Sequence, residues 1–300
     1  MSFSSETKNE LCKILPTSKC CAAAQCYGIA LYCNTFSQDE IKIVTENRAF
    51  SKLLPRLFKR AFGVSFDSVS EGKGENGKIT FQITDRASIY KIIDSFGYER
   101  DGLLAHHINY GIIEEECCQQ SFVRGAFLAG GSVTDPGKQY HLELVTDHYN
   151  VSRETYSLLL DMGFSPKSTG RNGNYIIYFK NSEVIEDLLT SIGAPVSAME
   201  IMSAKIEKGV TNSVNRRVNC DTANVSKTVD AAQAQIEAIN KLKNAGIFDE
   251  LPEKIRETAE KRLEYPELSL TELSAMFTPP VTKSGLNHRF RKIMETAERV

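Results

Sequence analysis

Hydrophobic and polar positions alternate with a period of two across Ile41–Thr45, where Ile41, Ile43 and Thr45 stand against Lys42 and Val44. That spacing marks a half-buried strand, because successive side chains of a strand point to opposite faces. Apolar helical runs flank it, and the whole succession then returns. CCAAAQCYGIALYCNTF, followed by IKIVTENRAFSKLLPRLFKRAFGVSF, is answered by CCQQSFVRGAFLAGGSV, followed by LELVTDHYNVSRETYSLLLDMGFSP. GKITFQITDRASIYKIIDSFG (Gly77–Gly97) is answered by GNYIIYFKNSEVIEDLLTSIG (Gly173–Gly193). Each copy reads helix, strand, helix, strand, strand, helix. The turn signals Glu75-Asn76-Gly77 and Arg171-Asn172-Gly173 join paired strands as hairpins. The pattern predicts an α+β domain over residues 1–196, built from two repeats at about 10–97 and 107–193.

Ala194-Pro195 closes the repeats, and Ser197 with Glu200 fits a capping box that starts a helix. Asn212, Asn215, Asn219 and Asn224 then crowd a polar stretch that also carries Arg216 and Arg217. Residues 197–224 therefore read as an interdomain connector, with both arginines available for phosphate contact. From Val225 onward, residues 225–300 read as an all-helical domain. One helix stops near Gly246, and a second opens at Pro252 and ends before Pro266.

The last stretch, SLTELSAMFTPPVTKSGLNHRFRKIMETAERV, predicts a helix-turn-helix over residues 269–298. Ser269 and Glu272 form a capping box, and Leu270, Leu273 and Phe277 give a short apolar face. Thr278-Pro279-Pro280 is a hard turn, and Thr282 caps the next helix. On that helix Leu286, Phe290, Ile293 and Ala297 fall within about 60° of one another. Ser284, Asn287, His288 and Arg291 cluster opposite, flanked by Lys283 and Lys292. Lys283, Arg289, Arg291 and Lys292 form an acid-free basic run. One face would dock on a core while the other enters a major groove. There arginine pairs with guanine, asparagine with adenine, and marginal lysines with phosphate.

Composition narrows the reading. The formal charge is −2, so a nucleic-acid surface must be local rather than global. MSFSSETKNE has no secretory character, and no apolar run approaches the roughly 18–20 residues of a membrane span. A cytoplasmic chain keeps its 8 cysteines reduced. Cys20-Cys21 and Cys117-Cys118 lack CxxC spacing. Neighbours on a helix also point about 100° apart, which argues against a shared metal. No metal or cofactor is expected, and these thiols read as small packing side chains.

RGAFLAGGSVTDP resembles the closing half of a LAGLIDADG helix, and CYGIALYCNTF is its weaker counterpart in the first copy, with Cys26, Tyr27, Tyr32 and Cys33 as unusual fillers. In that architecture two such helices pack through small residues, here Gly28 and Gly125 with Ala126 and Ala129, beneath two saddle-shaped sheets. Homing endonucleases of this type end each helix in a metal-binding acid. Gly130 and Cys33 occupy those places, neither a hard oxygen ligand, and Asp135 lies beyond the helix as a turn residue. Gly130-Gly131 reads as a helix stop plus a turn.

Together with NRRVNCDTANVSKTVDAA and SLTELSAMFTPPVTKSGLNHRFRKI, these stretches resemble the WhiA family of bacterial regulators. The resemblance covers nearly the whole chain. It implies a degenerate LAGLIDADG domain tethered to a helix-turn-helix similar to the promoter-reading fourth region of primary sigma factors. It implies a non-enzymatic, nucleoid-associated DNA-binding regulator tied to cell division, chromosome segregation and, in some relatives, sporulation. The implied partners are duplex promoter DNA and either an RNA polymerase sigma factor or another regulator. DNA contact is carried onto Lys283, Ser284, Asn287, His288, Arg289, Arg291 and Lys292. The alternatives are a metal-dependent endonuclease and an adaptor for RNA polymerase or the division machinery.

Overall fold

A computed structural model describes residues 2–72, 77–99 and 106–299, so Glu75 and Asn76 of the first hairpin signal lie outside it. The chain divides into two units, Met1–Lys208 and Gly209–Val300.

The first unit opens with α1 (Phe3–Leu11) and then repeats one motif. The first copy runs α2 (Lys19–Tyr32), β1 (Thr35–Phe36), β2 (Ile41–Thr45), α3 (Arg48–Phe62), β3 (Ser68–Glu71), β4 (Ile79–Ile83) and α4 (Arg86–Ser95). The second runs α5 (Glu116–Gly130), β5 (Gly131–Val133), β6 (Leu142–Thr146), α6 (Tyr149–Asp161), β7 (Lys167–Arg171), β8 (Asn174–Phe179) and α7 (Ser182–Ile192). The antiparallel sheets have matching orders, β1-β2-β4-β3 and β5-β6-β8-β7. The strands β1 and β5 are additions to the sequence reading. They are too short to show a period of two, and their pairing to β2 and β6 is a tertiary event.

Register and burial agree. Ile41 and Ile43 are buried opposite Ile83 and Phe81, and Leu142 and Leu144 are buried opposite Phe179 and Ile177. The β7–β8 turn places Asn172 and Gly173 at φ 51° and 80°, a left-handed pair that twists with the strands it joins. Gly130 ends α5, but Gly131 does not turn. It is extended at φ −93°, ψ 153°, and starts β5 directly.

The core of the unit is the α2–α5 pair. From Ala24 to Tyr32 every residue of α2 is buried, and so is every residue of α5 from Ser121 to Leu128. Helices covered around their whole circumference are interior elements, and here Gln25, Ser121 and Arg124 are buried among the apolar residues. The approach is reciprocal. A Cβ on Gly28 would lie 2.1 Å from the Phe122 carbonyl oxygen, and one on Gly125 would lie 2.1 Å from that of Gln25. The unusual fillers serve the interface. Tyr27 hydroxyl donates to the His107 carbonyl at 2.7 Å and accepts from the Asn109 amide at 2.8 Å. Tyr32 hydroxyl donates to Thr155 Oγ1 at 2.9 Å, tying α2 to the second copy.

The expected connector over 197–224 is not irregular. Pro195–Asn244 is one helix, α8. Asparagine and serine lower helix propensity by only tenths of a kcal/mol each, roughly up to 0.7, and no proline falls between Pro195 and Pro252 to stop the helix. Ser197 and Glu200 do not form its capping box. Glu10 of α1 reaches across instead, accepting from the amides of Val196 and Ser197 at 2.7 and 2.9 Å and from Ser197 Oγ at 2.7 Å. A carboxylate at the positive end of the helix satisfies donors that would otherwise be orphaned.

In the second unit α8 ends beside Gly246, whose φ is 73°. Three helices follow: α9 (Glu253–Glu264), α10 (Leu270–Ala275) and α11 (Lys283–Glu298). Ile239 and Leu242 of α8 pack with Ile255 and Ala259, Leu273 and Phe277, and the apolar face of α11 into a separate core.

Candidate nucleic-acid interface

The capping box of α10 is formed in both directions. The Glu272 amide donates to Ser269 Oγ, and the Ser269 amide donates to the Glu272 carboxylate at 2.9 Å. Thr282 Oγ1 accepts from the Gly285 amide at 3.1 Å and starts α11. Leu286, Phe290, Ile293 and Ala297 are all buried. Lys283, Ser284, Asn287, His288, Arg291 and Lys292 are all exposed. Six of the seven residues expected on the reading face thus share a solvent face about 180° wide, centred on Asn287 and Arg291.

Arg289 departs from that set. It lies about 70° from the centre of the buried stripe and roughly 150° from the centre of the exposed face. Its guanidinium donates to Thr258 Oγ1 at 3.2 Å and to the Lys254 carbonyl at 3.3 Å, and it pairs with Glu257 at 3.9 Å. It also stacks over Phe277, 5.6 Å from the ring centroid. A basic run on a helix cannot all face one way, and this member is turned toward α9. Arg216 and Arg217 are exposed on α8.

Two residues the sequence did not single out support this face. Lys227 of α8 lines a cavity of about 210 Å³ together with Lys283 and Ser269, placing another cation beside the start of α11. Arg262 is only 1 % exposed. Its Nε donates to Gln235 at 3.0 Å, its Nη1 donates to the Leu268 carbonyl at 2.6 Å, and its guanidinium lies 5.3 Å from the centroid of Phe290. One buried arginine therefore joins α8, α9, the entry to α10 and the core face of α11. Arg262→Met leaves those acceptors without a charged donor and is expected to cost about 2–4 kcal/mol, read as an earlier unfolding transition of the second unit in denaturant. The sequence signal was weak, because a lone arginine in EKRLEY looks like any solvated helix residue.

The places that hold acids in LAGLIDADG endonucleases do not fit a divalent metal. A Cβ on Gly130 would fall 2.5 Å from the Val145 carbonyl oxygen and 2.9 Å from Tyr32 Cδ1. A carboxylate has no room there. Cys33 Sγ lies 3.2 and 3.1 Å from the carbonyl oxygens of Ala30 and Thr35, and burial pushes its thiol up to about 12. A neutral thiol facing carbonyls is not a magnesium ligand.

The cysteine pairs, read separately in the sequence, come together in the fold. The sulfurs of Cys20, Cys21 and Cys118 all lie within 4.8 Å of one another. Cys21 Sγ is 3.4 Å from Cys117 Sγ and 3.9 Å from Cys118 Sγ. The 100° argument treated each pair alone. All four thiols sit in the first turns of α2 and α5, where Cα–Cβ bonds lean toward the helix N-terminus, and the glycine contact draws the two helix starts together.

Comparisons with known proteins agree with this organisation. A family model described as the WhiA LAGLIDADG-like domain matches residues 119–211, and one described as the WhiA C-terminal HTH domain matches residues 214–297. The chain is 38 % identical to the probable cell division protein WhiA of Alkaliphilus oremlandii, covering 100 % of this chain and 98 % of the relative. It is equally 38 % identical to the protein of the same description from Ruminiclostridium cellulolyticum, with the same coverage. A crystal structure of full-length DUF199/WhiA from Thermatoga maritima superposes with a TM-score of 0.62 at 26 % identity, covering 100 % of this chain and 99 % of the other. No described helix is long and apolar enough to cross a membrane. With a duplicated LAGLIDADG-like unit lacking both acids, a capped helix-turn-helix and full-length similarity at this level, the chain belongs to the WhiA family.

Proposed function

We propose that this protein is a non-catalytic, sequence-specific DNA-binding regulator of cell division and chromosome segregation that reads promoter DNA through α11. The observation that carries the reading is the solvent face formed by Lys283, Ser284, Asn287, His288, Arg291 and Lys292 on a helix whose opposite face is buried. Arg291 and Asn287 have the donor geometry for guanine and adenine edges, and Lys283 and Lys292 flank them as phosphate ligands. Arg289 acts from behind, fixing α11 on α9. Arg216 and Arg217 add phosphate contacts, each lowering the salt slope of binding by about one when removed.

The repeat unit supports protein docking better than duplex binding. Glu143 on β6 accepts from Ser132 at 3.1 Å and Glu40, just before β2, accepts from Gln82 at 2.8 Å, so carboxylates alternate with Lys42 and Lys167 on the outward rows and break any continuous basic track. A component of the transcription machinery, such as a sigma factor or another regulator, is the partner this surface suits.

Mapping chromosomal occupancy of the intact protein beside an Asn287→Ala/Arg291→Ala variant tests the reading. A DNA reader loses its sites in the variant, whereas an adaptor recruited by protein contacts keeps them. The rival nuclease reading meets a separate test. Supercoiled plasmid incubated with the protein and Mg²⁺ is expected to remain intact. Gly130→Asp is expected to destabilise the first unit by about 1–3 kcal/mol through overpacking, without restoring nicking. Metal-dependent nicking by the unaltered chain would overturn the non-catalytic assignment.

A further inference from the structure

We propose that Cys20, Cys21, Cys117 and Cys118 form a structural thiolate site for one thiophilic d10 cation of the zinc class, clamping together the first turns of α2 and α5.

The geometry comes first. Four sulfurs bound tetrahedrally at about 2.3 Å from zinc stand about 3.8 Å from one another. The separations of 3.4 Å for Cys21–Cys117 and 3.9 Å for Cys21–Cys118 bracket that value. Cys20 lies with Cys21 and Cys118 inside 4.8 Å of one another, and Cys117, outside that mutual set, joins it through its 3.4 Å approach to Cys21. All four are free thiols, and each helix supplies one exposed sulfur and one more covered sulfur.

The electrostatics favour the same occupant. Four thiolates around a divalent cation carry a net double negative charge. Two helix N-termini point into this region, each equivalent to about half a positive charge. Arg124, two turns along α5 from Cys117, is 8 % exposed and has no carboxylate partner among the described residues. Its Nε donates to the Ile192 carbonyl at 2.5 Å. A buried guanidinium without an acid suits an anionic cluster nearby. Gln25, one turn from Cys21 on the same face of α2, is fully buried, and both of its side-chain amide atoms are without a hydrogen-bond partner. Sulfur ligands exclude magnesium and calcium and select zinc or copper(I).

The site lies at the opposite ends of α2 and α5 from Cys33 and Gly130. Its role is therefore to hold the two repeats together, with metal binding contributing to folding of the first unit.

The test uses the full-length protein, purified under reducing conditions without metal-affinity media. Elemental analysis is expected to find about one zinc per chain, and Co²⁺ added to metal-free protein is expected to give thiolate-to-cobalt charge-transfer absorption with tetrahedral ligand-field bands. Cys20→Ser/Cys117→Ser alters only exposed thiols and should abolish both signals at unchanged far-UV circular dichroism. Cys220→Ser, on α8, should change neither. A chelator should lower the unfolding midpoint of the wild type and leave the double variant unaffected. Three results would overturn the proposal: metal-free wild type that gives no cobalt charge transfer, equal metal content in the double variant, or thiols that only form a Cys21–Cys117 disulfide under peroxide and bind neither ion.

Discussion

Exchanging Lys283, Arg291 and Lys292 together for glutamate is expected to weaken binding to a specific promoter fragment by about 4 kcal/mol, on the order of a thousandfold. In the proposed interface Arg291 is expected to account for about 1–3 kcal/mol of this as a bidentate base contact, and each lysine for roughly one phosphate contact. All three are exposed on the same face of α11, away from Leu286, Phe290 and Ile293, so the folded core is untouched. Titration at fixed salt, repeated across a salt series, separates the two contributions, since phosphate contacts change the slope and base contacts change the intercept. Arg289→Ala supplies the contrast. Its partners are Thr258, Lys254 and Glu257 on α9, so it should lower the stability of the second unit and leave the salt slope unchanged. Equal affinity of the triple variant and the wild type would remove α11 from the interface.

Gly28→Ala is expected to destabilise the first unit by roughly 3 kcal/mol, the upper end of overpacking costs. The added methyl would sit 2.1 Å from the Phe122 carbonyl oxygen and 2.8 Å from the Ala126 amide nitrogen. Both neighbours are backbone, so no side-chain rotation relieves the contact and the helices must part. Gly125→Ala meets the mirror-image obstacle at the Gln25 carbonyl. Calorimetry should show the transition of the Met1–Lys208 unit moving down in both variants, with the transition of the helical unit unmoved. An unshifted first transition would mean that the helices do not meet through their glycines.

Much of this was legible in the chain. The duplication, the alternating strands, the Gly28–Gly125 correspondence, the Ser269–Glu272 and Thr282 caps, and the four apolar positions of α11 are all local or periodic signals. Each follows from the backbone geometry of one element, or from one element compared with its copy. What the sequence misplaced involves contacts between distant segments. Glu10 caps α8 because α1 lies beside its start, displacing Ser197 and Glu200 from that role. An asparagine-rich stretch stays helical because nothing breaks it and both ends are anchored in separate cores.

The sequence by itself determined most of the elements, which face of each is apolar, and that neither place holding an acid in LAGLIDADG endonucleases carries one here. Only the tertiary structure decided where the charged and sulfur-bearing side chains go. Arg289 turns inward because α9 offers it three oxygen partners, Arg262 is buried because four segments converge on it, and two cysteine pairs meet because a pair of glycines lets their helices touch. Periodicity reports the burial of one helix at a time, whereas the fate of a polar group depends on what a remote part of the chain brings within hydrogen-bonding reach.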